Sequence, residues 1–198
     1  MYFFLLSWLT LGVYPVIVFY QRLNRADLFS DRRHHYYQAV IDYTSRYAHQ
    51  AGQADFVHYE TSDLAAYVKD RFTTVHQPIK AGLSVVLSLL TLVYGFISVY
   101  RLMKYWWEIQ VTEQDFCQKL GPVWTKLGII RYAVSYEPIQ QVRRNFWTCF
   151  LLSIVTIGIY GIWWDYYLHT DPDRVYPEMH SSEDAVLNAA RLARAGGA

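Results

Sequence analysis

A nearly uncharged stretch, FLLSIVTIGIYGIWWDYY at 150–167, recurs near the other end of the chain as FLLSWLTLGVYPVIVFY at 4–20. Phe, Leu, Leu, Ser, Thr, Gly and two Tyr occupy the same eight relative positions in both copies. A third, weaker copy is AGLSVVLSLLTLVYGFISVY at 81–100. There Leu87, Ser88, Thr91, Tyr94 and Tyr100 match once one residue is deleted before Tyr94, and the Gly is missing. The two tyrosines stand six apart in all three copies.

These copies define three apolar segments, about 2–20, 81–100 and 146–168. Each is roughly 18 to 22 residues long, near what a helix needs to cross a hydrocarbon core of about 30 Å. Tyr or Trp flanks each segment, followed by Arg or Lys. Amphipathic rings settle at headgroup level, and the 18 Tyr, 7 Trp and 10 Phe suit such a boundary. The reading is therefore an all-α integral membrane protein with three apolar segments, spanning or re-entrant, and amphipathic helices between them. A formal net charge of +1 gives no reason to expect nucleic acid as a partner. Cys117 and Cys149 are too few for a disulfide framework and lack metal-ligand spacing. In segment one the first basic residues, Arg22 and Arg25, follow the apolar run, which favours an uncleaved anchor.

Ser7, Thr10 and Tyr14 are spaced i, i+3, i+7, as are Ser153, Thr156 and Tyr160, so each set lies on one helical face. Small and hydroxyl side chains let helices approach closely in lipid. Ser7, Thr10, Gly12, Tyr14, Ser88, Thr91, Tyr94, Ser153, Thr156, Gly158 and Tyr160 are the helix-packing candidates. The bland alternative is that Ser and Thr bond back to their own helix carbonyls. The packing view expects Thr10→Val or Thr156→Val to cost little. It expects Gly158→Leu to cost far more, by forcing backbones apart. Segments one and three are expected to share a local backbone.

Leu151, Leu152, Ser153, Thr156, Gly158, Ile159, Tyr160 and Trp164 form an LLS-x-x-T-x-G-I-Y-x-x-x-W pattern. It resembles the signature segment of an uncharacterised bacterial membrane-protein family, a domain of unknown function. TLGVYPVIVFYQRLNR in segment one is similar to it and to a related TLG-x-Y group. The resemblance implies a bacterial membrane location, and it implies no activity, substrate or site residue.

Whether the segments span or dip is open at this level. Gly12 and Pro15 bracket Tyr14, Gly158 and Gly161 bracket Tyr160, and Gly95 follows Tyr94, all weak points in a helix. Length favours spanning, with the N-terminus outside and the first loop in the cytoplasm. Lys and Arg within about 20 residues of the segments divide eight against seven between the two sides, which is no bias. Such a tie suits hairpins that dip from one face.

The boundaries read as 1–20 segment one, 21–79 an amphipathic helical region, 80–104 segment two, 105–145 a second helical region, 146–169 segment three, and 170–198 a partly flexible tail. Helices are expected at 31–50 (Asp31 as cap, Gly52 as end), 62–76 (Ser62 as cap, Pro78 beyond) and 112–120 (Thr112–Asp115 capping pair, Gly121–Pro122 beyond). The tail reads as a loop and one short Ala-rich helix. Arg32, Arg33 and His34 would suit anionic lipid headgroups, and a solvated helix start would explain them as well.

No catalytic signature is present: there is no G-x-S-x-G, Walker loop, H-E-x-x-H or C-x-x-C. All seven His lie outside the apolar segments or at an edge, which speaks against haem. Asp165 is the sole carboxylate within an apolar segment and so a functional candidate, though it sits near the segment's end. The expectation is a non-enzymatic subunit without cofactor, an accessory or scaffold part of a larger complex in the inner (cytoplasmic) membrane. Its partners would be the lipid bilayer and other membrane subunits or itself. The alternative is an oligomeric small transporter or channel component.

Overall fold

In the computed structural model the described residues are 13–130, Tyr136 and 142–196. Ser7, Thr10 and Gly12 lie outside them, and with them most of segment one. The described residues form helices and no strand: α1 (Val13–Gln50), α2 (Ala54–Thr74), α3 (Ala81–Leu90), α4 (Leu92–Lys126), α5 (Phe146–Val155) and α6 (Ile159–Gly196). Among them no helix is long and apolar enough to cross a membrane.

Segments two and three each break in the middle, into α3 and the start of α4, and into α5 and the start of α6. Neither is a single spanning helix. The expected caps also fall away. No Gly or Pro interrupts residues 16–51, so α1 runs straight through Asp31. Ser62 lies inside α2, and Thr112 and Asp115 lie inside α4, which continues past Pro122. Among the described residues the tail holds no loop, because α6 continues through Pro172 and Pro177 to Gly196. A helix-interior proline costs about 3 kcal/mol, but Val175, Met179 and Val186 on this stretch are at most 1% exposed. Tertiary burial outweighs local propensity there.

The chain divides into two compact units. The first takes the chain up to Asp31, Pro78–Tyr105 and Arg143–Thr170; the second takes Arg32–Gln77, Trp106–Val142 and Asp171–Ala198. In the second, α1 reverses into α2 at Gly52, whose φ of +67° suits a residue without a β-carbon. The Gln53 N–H donates to Ala48 O at 2.8 Å and closes the helix end. Four helical stretches then share one core, with Tyr37, Val40, Leu64, Val68, Phe116, Leu120, Trp124 and Val186 inside. Lys119–Asp63 at 2.7 Å and Lys126–Glu60 at 2.5 Å tie α4 to α2 on its rim.

That core unites both inter-segment regions and the tail. With three alternating spans, the first and second loops would lie on opposite sides of a membrane and could not pack together. The reading of three alternating spans is corrected on this ground.

Candidate functional site

The first unit is built from two helical hairpins beside the start of α1. α3 opens where the Asp27 carboxylate accepts from the N–H groups of Ile79 (2.6 Å) and Ala81 (3.1 Å). It ends at Thr91, whose hydroxyl donates to Leu87 O at 3.0 Å. α5 opens on Asn145, whose side chain accepts from Trp147 N–H at 3.0 Å. It ends at Thr156, the corresponding position of the repeat. The Thr156 hydroxyl donates to Leu152 O (2.7 Å) and accepts from the Tyr160 N–H (2.9 Å), linking the two halves. Ile157 (φ +52°) and Gly158 (φ +85°) make the reversal in the left-handed region.

Ser88 and Ser153 likewise donate back to carbonyls four residues earlier, at 2.6 and 2.8 Å. Each lies against a glycine of its own hairpin. A β-carbon on Gly95 would stand 3.7 Å from that of Ser88, and one on Gly161 would stand 3.9 Å from the Ser153 hydroxyl. A β-carbon on Gly158 would meet nothing within 4 Å. The small-residue contact is therefore made at Gly95 and Gly161, while Gly158 serves the turn. Tyr94 and Tyr160 are half-buried, and Tyr14 lines a groove on α1.

Aromatic rings join the hairpins. Phe96 meets Phe150 edge-on at 5.3 Å, Tyr100 meets Phe146 at 5.6 Å, and Trp164 Nε1 donates to Met103 Sδ at 3.1 Å. Asp165 is held by both terminal nitrogens of Arg22, at 2.5 and 3.0 Å. The Arg144 guanidinium lies 3.7 Å from the Tyr167 ring centroid.

What remains outside is apolar. Among the described residues, the exposed large apolar side chains all belong to this unit except Phe56, Tyr59, Leu187 and Leu192. Exposure peaks at the turns: Leu90 74%, Val155 76% and Ile157 94%. Lys80, Arg101, Lys104, Arg143 and Arg144 all stand at the opposite, open ends of the hairpins. An exposed apolar patch rimmed by charge marks an interaction surface or a membrane contact.

The second unit hides a polar cluster that sequence reasoning missed. Arg33, 1% exposed, pairs with fully buried Glu113. Tyr37 and Ser182 donate to the same carboxylate at 2.6 and 2.8 Å, and Glu183 lies 3.5 Å from Arg33. Burial opposes charge on Arg33, yet Tyr37 and Glu113 beside it hold its proton more tightly than usual. Burial, and then Glu113, pushes the Cys117 thiol up to about 12, so it stays protonated and a poor nucleophile. Arg32 pairs with Glu183 at 2.8 Å, and His34 lies edge-on to Phe72 at 4.6 Å. Of the three residues read as suiting lipid headgroups, Arg33 thus points into the core. Arginine at 33 and glutamate at 113 carry no spacing signal, since 80 residues separate them. No group of His, Cys, Asp or Glu among the described residues is placed to hold a metal.

Residues 144–189 match a family described as Domain of unknown function (DUF4234). The match takes in the whole second hairpin and the following turns of α6. No curated protein and no solved structure matches the chain.

Proposed function

We propose that the protein is a non-enzymatic, membrane-embedded scaffold or accessory subunit. Its hairpins dip into one leaflet of the cell membrane from a single face, and its second unit, which carries few exposed apolar side chains, offers a docking surface to other subunits. The observation that carries the dipping topology is that both inter-segment regions share one core, so segments two and three must each return to the side they left. Lengths agree. A ten-residue helix such as α3 or α5 rises ~15 Å, about half of a 30 Å hydrocarbon core. The turns would sit at mid-membrane, and the basic residues at the open ends would meet the headgroups. This also accounts for the eight-to-seven charge tie, because both loops lie on one side.

The test is side-specific labelling in sealed vesicles. Cysteines at Gln50 and Gln118, both exposed, are treated with an impermeant maleimide in a Cys117→Ser, Cys149→Ser background. Labelling of both from the same side is expected, and labelling from opposite sides would overturn the dipping topology. Release of the wild-type chain by alkaline carbonate would overturn membrane embedding altogether. A stable complex larger than the chain in mild detergent is expected of a subunit.

A further inference from the structure

The two hairpins of the first unit point the same way. Arg101 donates to Pro78 O at 3.4 Å across the base of α3 and α4, and the Arg144 guanidinium lies over the Tyr167 ring across the base of α5 and α6. Between the hairpins, Phe96 meets Phe150 and Tyr100 meets Phe146. Phe96 and Phe150 stand five and six residues from the breaks at Thr91 and Thr156, and Tyr100 and Phe146 stand nine and ten. The rings therefore pair nearly equal depths, and both turns lie at one end of the unit. Leu90, Val155 and Ile157 are exposed at that end.

Entry of such a pair into lipid is one-sided. A helix with its side chains is about 10–12 Å across, so four helical stretches displace about 300–450 Å² of one leaflet. With a rise of ~15 Å they end near the bilayer centre and displace nothing from the other leaflet. In a flat bilayer the two leaflets have equal area, so the entered one is compressed. Curvature relieves this. Over a core of about 30 Å, the outer face of a vesicle about 150 Å in radius is about half again as large as the inner face, whereas at about 2,000 Å the excess is about 3%. Apolar insertion into one leaflet is accordingly sensitive to curvature. We propose that the hairpin pair is a wedge whose partner is a strongly convex lipid surface, so that the protein gathers where the membrane bulges toward the side it enters from. The inference rests on the single-face dipping reading above and adds a curvature preference to it.

The experiment dilutes the full chain from mild detergent onto preformed vesicles of dioleoyl phosphatidylcholine and phosphatidylglycerol, prepared at the two radii above with equal outer-leaflet lipid. Flotation should recover at least fivefold more protein on the small vesicles than on the large ones. Leu90→Asp combined with Ile157→Asp places a charge at each exposed turn. That variant should lose the preference and bind small vesicles at least tenfold more weakly, with its unfolding temperature in detergent unchanged. Equal recovery of the wild type on both sizes, or more on the large vesicles, overturns this proposal alone. A preference retained by the doubly charged variant overturns it as well, because the turns would then not be the part that enters lipid. Failure of the wild type to float with either size overturns the membrane reading beneath it.

Discussion

Arg33 and Glu113 show how little a residue's identity says about its surroundings. In the sequence Arg33 belongs to a basic run suited to a surface; in the fold it is sealed beside a carboxylate with Tyr37. Removing one partner of a buried ion pair strands the other, which costs about 3–5 kcal/mol. Glu113→Leu should therefore lower the unfolding temperature by roughly 10 °C, at about 2–4 °C per kcal/mol for a chain of this size. Adding Arg33→Met should restore most of the loss, and calorimetry of the single and double variants checks both. His76 gives a pH dependence. It is buried and hydrogen-bonded to Thr112 at 2.8 Å, and burial, with Arg71 nearby, holds it down at about 4. The unfolded imidazole, near 6.5, takes up a proton that the folded one refuses, so stability is full above about 6.5 and declines as pH falls toward 4. The decline is up to about 3 kcal/mol. Stability curves at pH 7 and pH 4.5 should converge more closely in His76→Gln than in the wild type.

At the scale of the element, the repeated motif encodes a hairpin turn. Thr91 and Thr156 fall at the break in their respective copies, and their hydroxyls close the preceding helix. Within the chain, a side chain on Gly158 meets open space and forces no two backbones apart. The cost there is strain: at φ +85° a side chain meets its own backbone, at about 1–2 kcal/mol. Gly158→Ala and Gly158→Leu should thus cost nearly the same, and Gly158→Asn less, since Asn tolerates this region. Gly161→Leu should cost more than any of them, because it drives a bulky group against Ser153 inside the hairpin. Thr156→Val loses a donor and an acceptor, about 1–3 kcal/mol, which is more than a purely packing role implies. Thermal unfolding of the five variants in detergent orders them.

For the whole molecule, the division into an apolar-surfaced unit and one with few exposed apolar side chains makes a fluorescence prediction. Trp147 and Trp163 are 64% and 57% exposed in the first unit, whereas Trp106 and Trp124 are at most 2% exposed in the second. In brominated-lipid vesicles, chains retaining only Trp147 or Trp163 should be quenched strongly and a chain retaining only Trp124 hardly at all. Equal quenching would remove the case for a leaflet-embedded first unit.

Local chemistry settled part of this architecture without the fold. Apolar blocks repeating with fixed Ser, Thr and Tyr positions marked the hairpins, Gly158 marked a break and Gly52 the end of α1, because backbone freedom and hydrophobic runs are properties of short stretches; Gly95 and Gly161, read as weak points too, lie inside α4 and α6. The helix limits at Asp31, Ser62 and Thr112 were misplaced, because capping residues also occur inside helices that tertiary burial extends. Only the tertiary structure joined Arg33 to Glu113 across 80 residues, turned Asp165 onto Arg22 across 143, and drew both loops and the tail into one core. Those pairings depend on the chain's path through space, and no local pattern of residues records that path.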